Sequence, residues 1–177
     1  HKVVVRLLNK IDNTTYKGAI IKILGHQDDP GVDILSIAAK YEIDDVFPED
    51  VEEELKNIPD HVLENEYEGR TDLRDKMIFT IDGDDTKDID DAISIEKLEN
   101  GNYKLGVHIA DVSHYVKPGT KLWDEAMQRS TSVYMVDTVI PMLPHVLSNG
   151  ICSLNPYVDR LTLSCIMEVT PSGELVD

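Results

Sequence analysis

Ten residues, Asp82-Gly83-Asp84-Asp85-Thr86-Lys87-Asp88-Ile89-Asp90-Asp91, constrain this chain more than any other segment. Six of the ten are aspartates. Ionised carboxylates packed this closely repel one another, and each makes its neighbour harder to ionise. A fold must spread them into water or neutralise them with a bound cation. The flanks favour the cation. Met77-Ile78-Phe79-Thr80-Ile81 reads as a buried-type strand and Ala92-Ile93-Ser94-Ile95 as another. Acid held between two apolar strands is not a loose solvated tail. Hard carboxylate oxygens suit magnesium or manganese.

The chain has 177 residues, room for one domain or one domain and a fragment. Its net charge of −17 argues against whole-surface attraction to nucleic acid or an anionic membrane. That charge leaves open a nucleic-acid enzyme whose grip is local. No apolar run approaches the roughly 20 residues that cross a bilayer. The start, His1-Lys2-Val3-Val4-Val5-Arg6, reads as a strand rather than a signal peptide, and suggests a piece of a longer protein. Two cysteines, Cys152 and Cys165, make no disulfide framework. They are expected as small buried residues in a reducing cytoplasm.

Residues 2–8 and 16–24 alternate and are rich in β-branched residues, which predicts two strands joined at Asp12-Asn13-Thr14. Two strands are not a stable domain by themselves. They read as the end of a β-barrel. After a turn-rich connector, Val32, Leu35, Ala38 and Ala39 fall on helical spacing. Pro48 and Pro59 can each open a short acidic helix, over 48–57 and 59–67. Acid runs such as Glu52-Glu53-Glu54 read as solvated helix faces. Strands are then expected over 76–82, 91–98 and 102–112, with Asn100-Gly101 as the tight turn between the last two. Thr120 is a candidate N-cap for a helix over 121–130. A final strand is expected over 160–169.

Two other uses of the acidic loop fail on spacing or context. An EF-hand calcium loop counted from Asp82 places Lys87 where Gly is needed and Ile93 where Glu is needed. The Asp82-Gly83-Asp84-Asp85-Thr86 stretch resembles the phosphoaspartyl signature of haloacid-dehalogenase-like phosphatases, with Asp82 as nucleophile. Those enzymes follow the loop with a helix, whereas residues 92–97 alternate as a strand. The remaining reading joins Asp82, at the end of one strand, to Asp88, Asp90 and Asp91, which open the next. Asp88 and Asp90 share a side in extended geometry. Four carboxylates from two strand ends could hold two divalent ions about 4 Å apart, the arrangement for in-line displacement at phosphorus.

The segment Thr80–Ala92 as a whole resembles the signature of the ribonuclease II/ribonuclease R family catalytic domain, the RNB domain. Further blocks match in order: His108-Ile109-Ala110-Asp111-Val112-Ser113, Thr131-Ser132-Val133-Tyr134, and Ile140-Pro141-Met142-Leu143-Pro144 continuing to Cys152-Ser153-Leu154-Asn155-Pro156. The resemblance covers roughly residues 70–177. Gly25–Ile37 resembles the link that follows the second cold-shock domain in bacterial members, which makes residues 1–25 the tail of an OB-type barrel.

The resemblance implies an α+β chain: the end of a cold-shock barrel (1–25), a helical linker (26–69), and the N-terminal half of the mixed α+β RNB domain (70–177). It implies a processive 3′→5′ exoribonuclease that hydrolyses single-stranded RNA to nucleoside 5′-monophosphates with Mg2+, or with Mn2+. Asp82, Asp88, Asp90 and Asp91 become the metal-holding, catalytic carboxylates, with Asp90 mattering most to chemistry. Tyr134 becomes the aromatic that stacks on the 3′-terminal base. The family's catalytic arginine, second clamp aromatic and S1 domain are expected beyond Asp177. A catalytically silent RNA-binding fragment is the rival from another class.

The other chemistry-bearing residues have plainer readings. Asp84 and Asp85 read as solvated loop residues. His108 and His114 lack the further ligands that zinc needs. His108 is expected on one face of a strand, His114 on the surface and Trp123 in the core. Arg129 and Arg160 are candidate phosphate contacts.

Overall fold

A computed structural model describes residues 1–176. The chain is mixed α+β and divides into two compact units, residues 1–47 with 133–140, and residues 48–132 with 141–176.

In the first unit, β1 (Lys2–Lys10) and β2 (Tyr16–Gly25) form an antiparallel hairpin. The predicted turn is built on Asp12. Its Oδ1 accepts the N–H groups of Thr14 and Thr15, both at 2.8 Å. Those bonds hold the Asp12 carboxyl below its usual range. Helix α1 (Val32–Lys40) follows and buries Val32 and Ala38, as its spacing predicts. Gly31 starts it at φ 80°, a conformation that costs glycine nothing. Lys22 pairs with Asp44 and Asp45. Two short strands, β6 (Val133–Tyr134) and β7 (Val139–Ile140), pair antiparallel and belong to this unit.

The second unit is built on a four-stranded antiparallel sheet in the order β3-β4-β5-β8. Its strands are β3 (Ile78–Phe79), β4 (Asp91–Lys97), β5 (Tyr103–Ala110) and β8 (Thr162–Val169). The strand expected over 76–82 is thus much shorter. Only Ile78 and Phe79 pair with β4, because this edge leaves the sheet before the acidic loop. The Asn100-Gly101 turn forms as expected, with Gly101 at φ 87°. The buried face of β5 carries Gly106, His108 and Ala110. On the opposite face Ile95, Ile109 and Leu163 stay exposed.

His108 is 1 % exposed and bonds Ser164 Oγ on β8 through Nδ1 (2.8 Å) and Ser94 Oγ on β4 through Nε2 (3.0 Å). Burial pushes its pKa down, so the ring is neutral near pH 7. Gly106 makes room for it: a Cβ there would stand 2.7 Å from His108 Nε2.

α3 (Val112–Tyr115) is a single turn that follows β5. Two helices of this unit pack on one another. α2 (Glu49–Leu55) packs against α4 (Lys121–Arg129), burying Val51 and Leu122. α4 has two caps. Thr120 Oγ1 accepts the Trp123 N–H at 3.1 Å, the predicted cap. Glu54 adds a second from outside the helix: its carboxylate oxygens accept the N–H groups of Lys121 (2.9 Å) and Leu122 (2.8 Å). Glu54 is therefore not part of a merely solvated face. Its charge satisfies donors that a helix start leaves open. Trp123 is half-buried rather than in the core.

The helix expected over 59–67 does not form. A 3-10 turn occupies Glu64–Tyr67. Its side chains reach distant residues instead, Glu66 to His114 at 2.6 Å and Tyr67 to Asp159 at 3.0 Å. Tertiary bonds of this kind override weak local propensity. His114 is consequently half-buried in a network rather than a plain surface residue. Cys152 is buried and Cys165 exposed, and both are free thiols. Among the described residues no helix is long and apolar enough to cross a membrane.

Candidate metal-binding active site

The acidic loop runs from the end of β3 to the start of β4. Asp82 lies beyond the paired residues of β3, not at the strand's last rung. Asp91 is the first residue of β4 and pairs with Ile109. Asp84 and Asp85 are exposed beside a turn closed by the Thr86 N–H to Gly83 carbonyl bond at 3.0 Å. Asp88 is half-buried and Asp90 is more open.

The charges of Asp82, Asp88 and Asp91 all reach Asp90. The Asp90 carboxyl is raised above the usual aspartate range, first by burial and then by the charges of Asp88, Asp91 and Asp82. Among the described residues, no three His, Cys, Asp or Glu side chains stand close enough together to form a ready coordination set. The donor chemistry fits a divalent cation all the same. Oxygen ligands of concentrated negative charge are what Mg2+ and Mn2+ select.

The loop's second half is fastened to a segment far along the chain. Ser153, 0 % exposed, accepts the Ile89 N–H at 3.0 Å and donates to the Lys87 carbonyl at 2.8 Å. The Leu154 N–H donates to the Ile89 carbonyl at 2.8 Å, and the Ala110 N–H to the Asp90 carbonyl at 2.9 Å. Ser153 is itself held by Arg160, whose Nε donates to the Ser153 carbonyl at 2.8 Å. The sequence gives Ser153 only a place in a matching block and no role. Its bonds cross more than sixty residues, and no local pattern announces them.

Two expected phosphate contacts are otherwise engaged. Arg160 serves Ser153 and the Asp159 carbonyl. Arg129 donates to Glu125 at 2.7 Å and to the Pro141 carbonyl at 3.4 Å. Cys152 neighbours these groups, and burial pushes its thiol up to about 12, which removes it as a nucleophile. Tyr134 stands on β6 in the first unit, 68 % exposed. The phosphatase context is missing: strand β4 follows the loop and pairs antiparallel with β5.

A second cluster supports the loop's surroundings. Asp111, 6 % exposed, accepts Arg70 Nη2 at 2.7 Å and the Ser113 hydroxyl at 2.8 Å. Burial raises the Asp111 carboxyl, but the bonds from Arg70 and Ser113 outweigh it and the net shift is downward.

Residues 70–177 match the RNB domain family model, more than half of the chain.

This chain belongs to the RNB-domain family.

Residues 1–48 match the cold shock domain model. The RNB chain is 52 % identical over 163 residues to ribonuclease R 1 of Lactococcus lactis, covering 92 % of this chain and 20 % of that relative. It is 57 % identical over 159 residues to ribonuclease R of Thermotoga maritima, covering 89 % of this chain and 22 % of the relative. It therefore spans about a fifth of the length of these curated relatives. Among solved structures it resembles Mycoplasma genitalium RNase R in complex with double-stranded RNA. The TM-score is 0.88 at 31 % identity, covering 99 % of this chain and 31 % of that one.

Proposed function

We propose that the full protein to which this RNB chain belongs is a processive 3′→5′ exoribonuclease, hydrolysing single-stranded RNA to nucleoside 5′-monophosphates with Mg2+. The observation that carries this reading is the loop between β3 and β4, which gathers Asp82, Asp88, Asp90 and Asp91 so that the other three charges act on Asp90. Family membership and similarity to ribonuclease R proteins support it.

Asp82 supplies oxygens from one arm of the loop, and Asp88, Asp90 and Asp91 from the other. When bound there, divalent cations would supply an activated water and charge stabilisation at the leaving oxygen. The chain's own part is to aim the carboxylates. Tyr134 offers an exposed ring for stacking on the RNA 3′-terminal base, which suits a substrate read without regard to sequence. In domain terms, residues 1–25 are the end of a cold-shock barrel, 26–69 the linker and 70–177 the first part of the catalytic domain. The cold-shock match and the packing of α1 on β1 and β2 extend the barrel's neighbourhood toward residue 48. Two free cysteines accord with a cytoplasmic protein.

The test is digestion of 5′-labelled single-stranded RNA by the full-length protein in Mg2+. Short labelled end products are expected. Asp90→Asn should lower the rate by roughly 100-fold or more while RNA affinity stays within a few-fold. Internal cleavage products, or a variant as active as wild type, would overturn the reading. Mn2+ binding that is unchanged by Asp82→Asn and Asp90→Asn would favour a silent RNA-binding segment.

A further inference from the structure

We propose that Ser153 is the positioning residue that shapes the carboxylate loop for metal. The inference rests on the metal-dependent reading above and assigns a task that the four carboxylates cannot perform for themselves.

One hydroxyl bridges the backbone on both sides of Asp88. It accepts from Ile89 N–H and donates its single proton to the Lys87 carbonyl. Fixing the peptides before and after Asp88 fixes the direction in which that side chain leaves the chain. Leu154 N–H on the Ile89 carbonyl and Ala110 N–H on the Asp90 carbonyl carry the same restraint onward to Asp90 and Asp91. The arm bearing three of the four carboxylates is thus pinned peptide by peptide, against a repulsion that would splay it.

The anchor is itself rigid. Ser153 N–H donates to the Gly150 carbonyl at 3.1 Å, and Arg160 Nε holds the Ser153 carbonyl. Asn155 Nδ2 donates to the Asn149 carbonyl at 3.1 Å and fixes the next turn. Asn155 Oδ1, 3.4 Å from the Ser153 hydroxyl, is a longer alternative acceptor than the Lys87 carbonyl. Full burial excludes water from taking over the hydroxyl's task. A small apolar side chain would fill the same space but could make neither bond. This separates positioning from packing.

The experiment is Mn2+ binding to the full-length protein without RNA, read from the paramagnetic signal of free Mn2+. It compares wild type, Ser153→Ala, Ser153→Cys and Ser164→Ala. Removing a group that orients metal ligands costs roughly 10–100-fold in metal affinity. Ser153→Ala should therefore bind Mn2+ at least about tenfold more weakly. In RNA digestion its Mg2+ requirement should rise in parallel while KM for RNA stays put. Ser153→Cys keeps the volume with a weak donor and acceptor, so the comparison survives if alanine prevents folding. Ser164→Ala also removes a hydroxyl bond, that to His108, but lies off the loop and should bind Mn2+ as wild type does. Wild-type Mn2+ affinity in the Ser153 variants overturns the proposal. A protein that binds Mn2+ but leaves RNA intact overturns the exonuclease reading alone, and the Ser153 comparison still stands. Failure of wild type to bind Mn2+ overturns the Ser153 proposal, and RNA digestion in Mg2+ then decides the exonuclease reading.

Discussion

Arg70 reaches Asp111 across forty-one residues of sequence and donates to its nearly buried carboxylate at 2.7 Å. The pair ties the segment before β3 to the end of β5. His114 joins it, with Nδ1 3.3 Å from Arg70 Nη2 and Nε2 2.6 Å from Glu66. Removing only the cation strands a desolvated anion, which costs more than the pair is worth. Arg70→Met should destabilise by roughly 2–4 kcal/mol in urea unfolding. Adding Asp111→Asn to it should recover part of that loss. Additive losses would show that the two side chains are energetically independent.

Glu54 provides a milder test. Its two bonds to the start of α4 satisfy donors that a cap would otherwise leave to water. Glu54→Ala should cost about 1 kcal/mol, the usual worth of a cap. Glu54→Lys should cost more, since it sets a positive charge at the positive end of the helix. Equal losses for both would limit Glu54 to packing. Thermal unfolding of the two variants reads the difference.

His108 makes the sheet acid-sensitive. Its folded pKa is depressed, so the unfolded chain binds the proton more readily. Stability is unaffected above the unfolded pKa, near 6.5, and falls as pH drops from there toward the folded pKa. His108→Gln should cost roughly 1–3 kcal/mol at pH 8, through the loss of its serine bonds. The gap to wild type should narrow as pH falls below the unfolded value of about 6.5. Denaturant midpoints at several pH values check this, and a constant gap would count against a neutral buried ring.

Asp90 should trade stability for function. Its raised pKa means that the ionised carboxylate opposes folding at neutral pH, and that the opposition fades as pH falls through the folded pKa. Asp90→Asn should therefore raise the melting temperature of the metal-free protein at pH 7. The advantage should shrink as pH approaches the ordinary aspartate value of about 4. Saturating Mg2+ should stabilise wild type more than the variant. A variant less stable than wild type without metal would contradict the repulsion inferred for the cluster.

Local pattern made much of this architecture readable. The Asn100-Gly101 turn, the alternation in β4 and β5, and the Thr120 cap each carry their instruction within a few residues. The acid cluster was equally plain, because charge density needs no knowledge of the fold. Reading failed where distant partners decide. Residues 59–67 have helical composition, yet Glu66 and Tyr67 spend their side chains on His114 and Asp159. Strand β3 stops early because pairing, not hydrophobicity, sets its length. Ser153 stood in a matching block with no role of its own, and its importance exists only once Lys87 and Ile89 are beside it.

The same long reach has a consequence in time. Ile89 leaves the ribosome 64 residues before Ser153. At roughly 5–20 residues per second, the acidic stretch waits about 3–13 seconds for its fastener to be synthesised. During that interval β4 and β5 can already pair through their tight turn, whereas the peptides around Asp88 stay open to water. Each newborn molecule thus passes through a stage in which the sheet exists and the carboxylate arm has no fixed course.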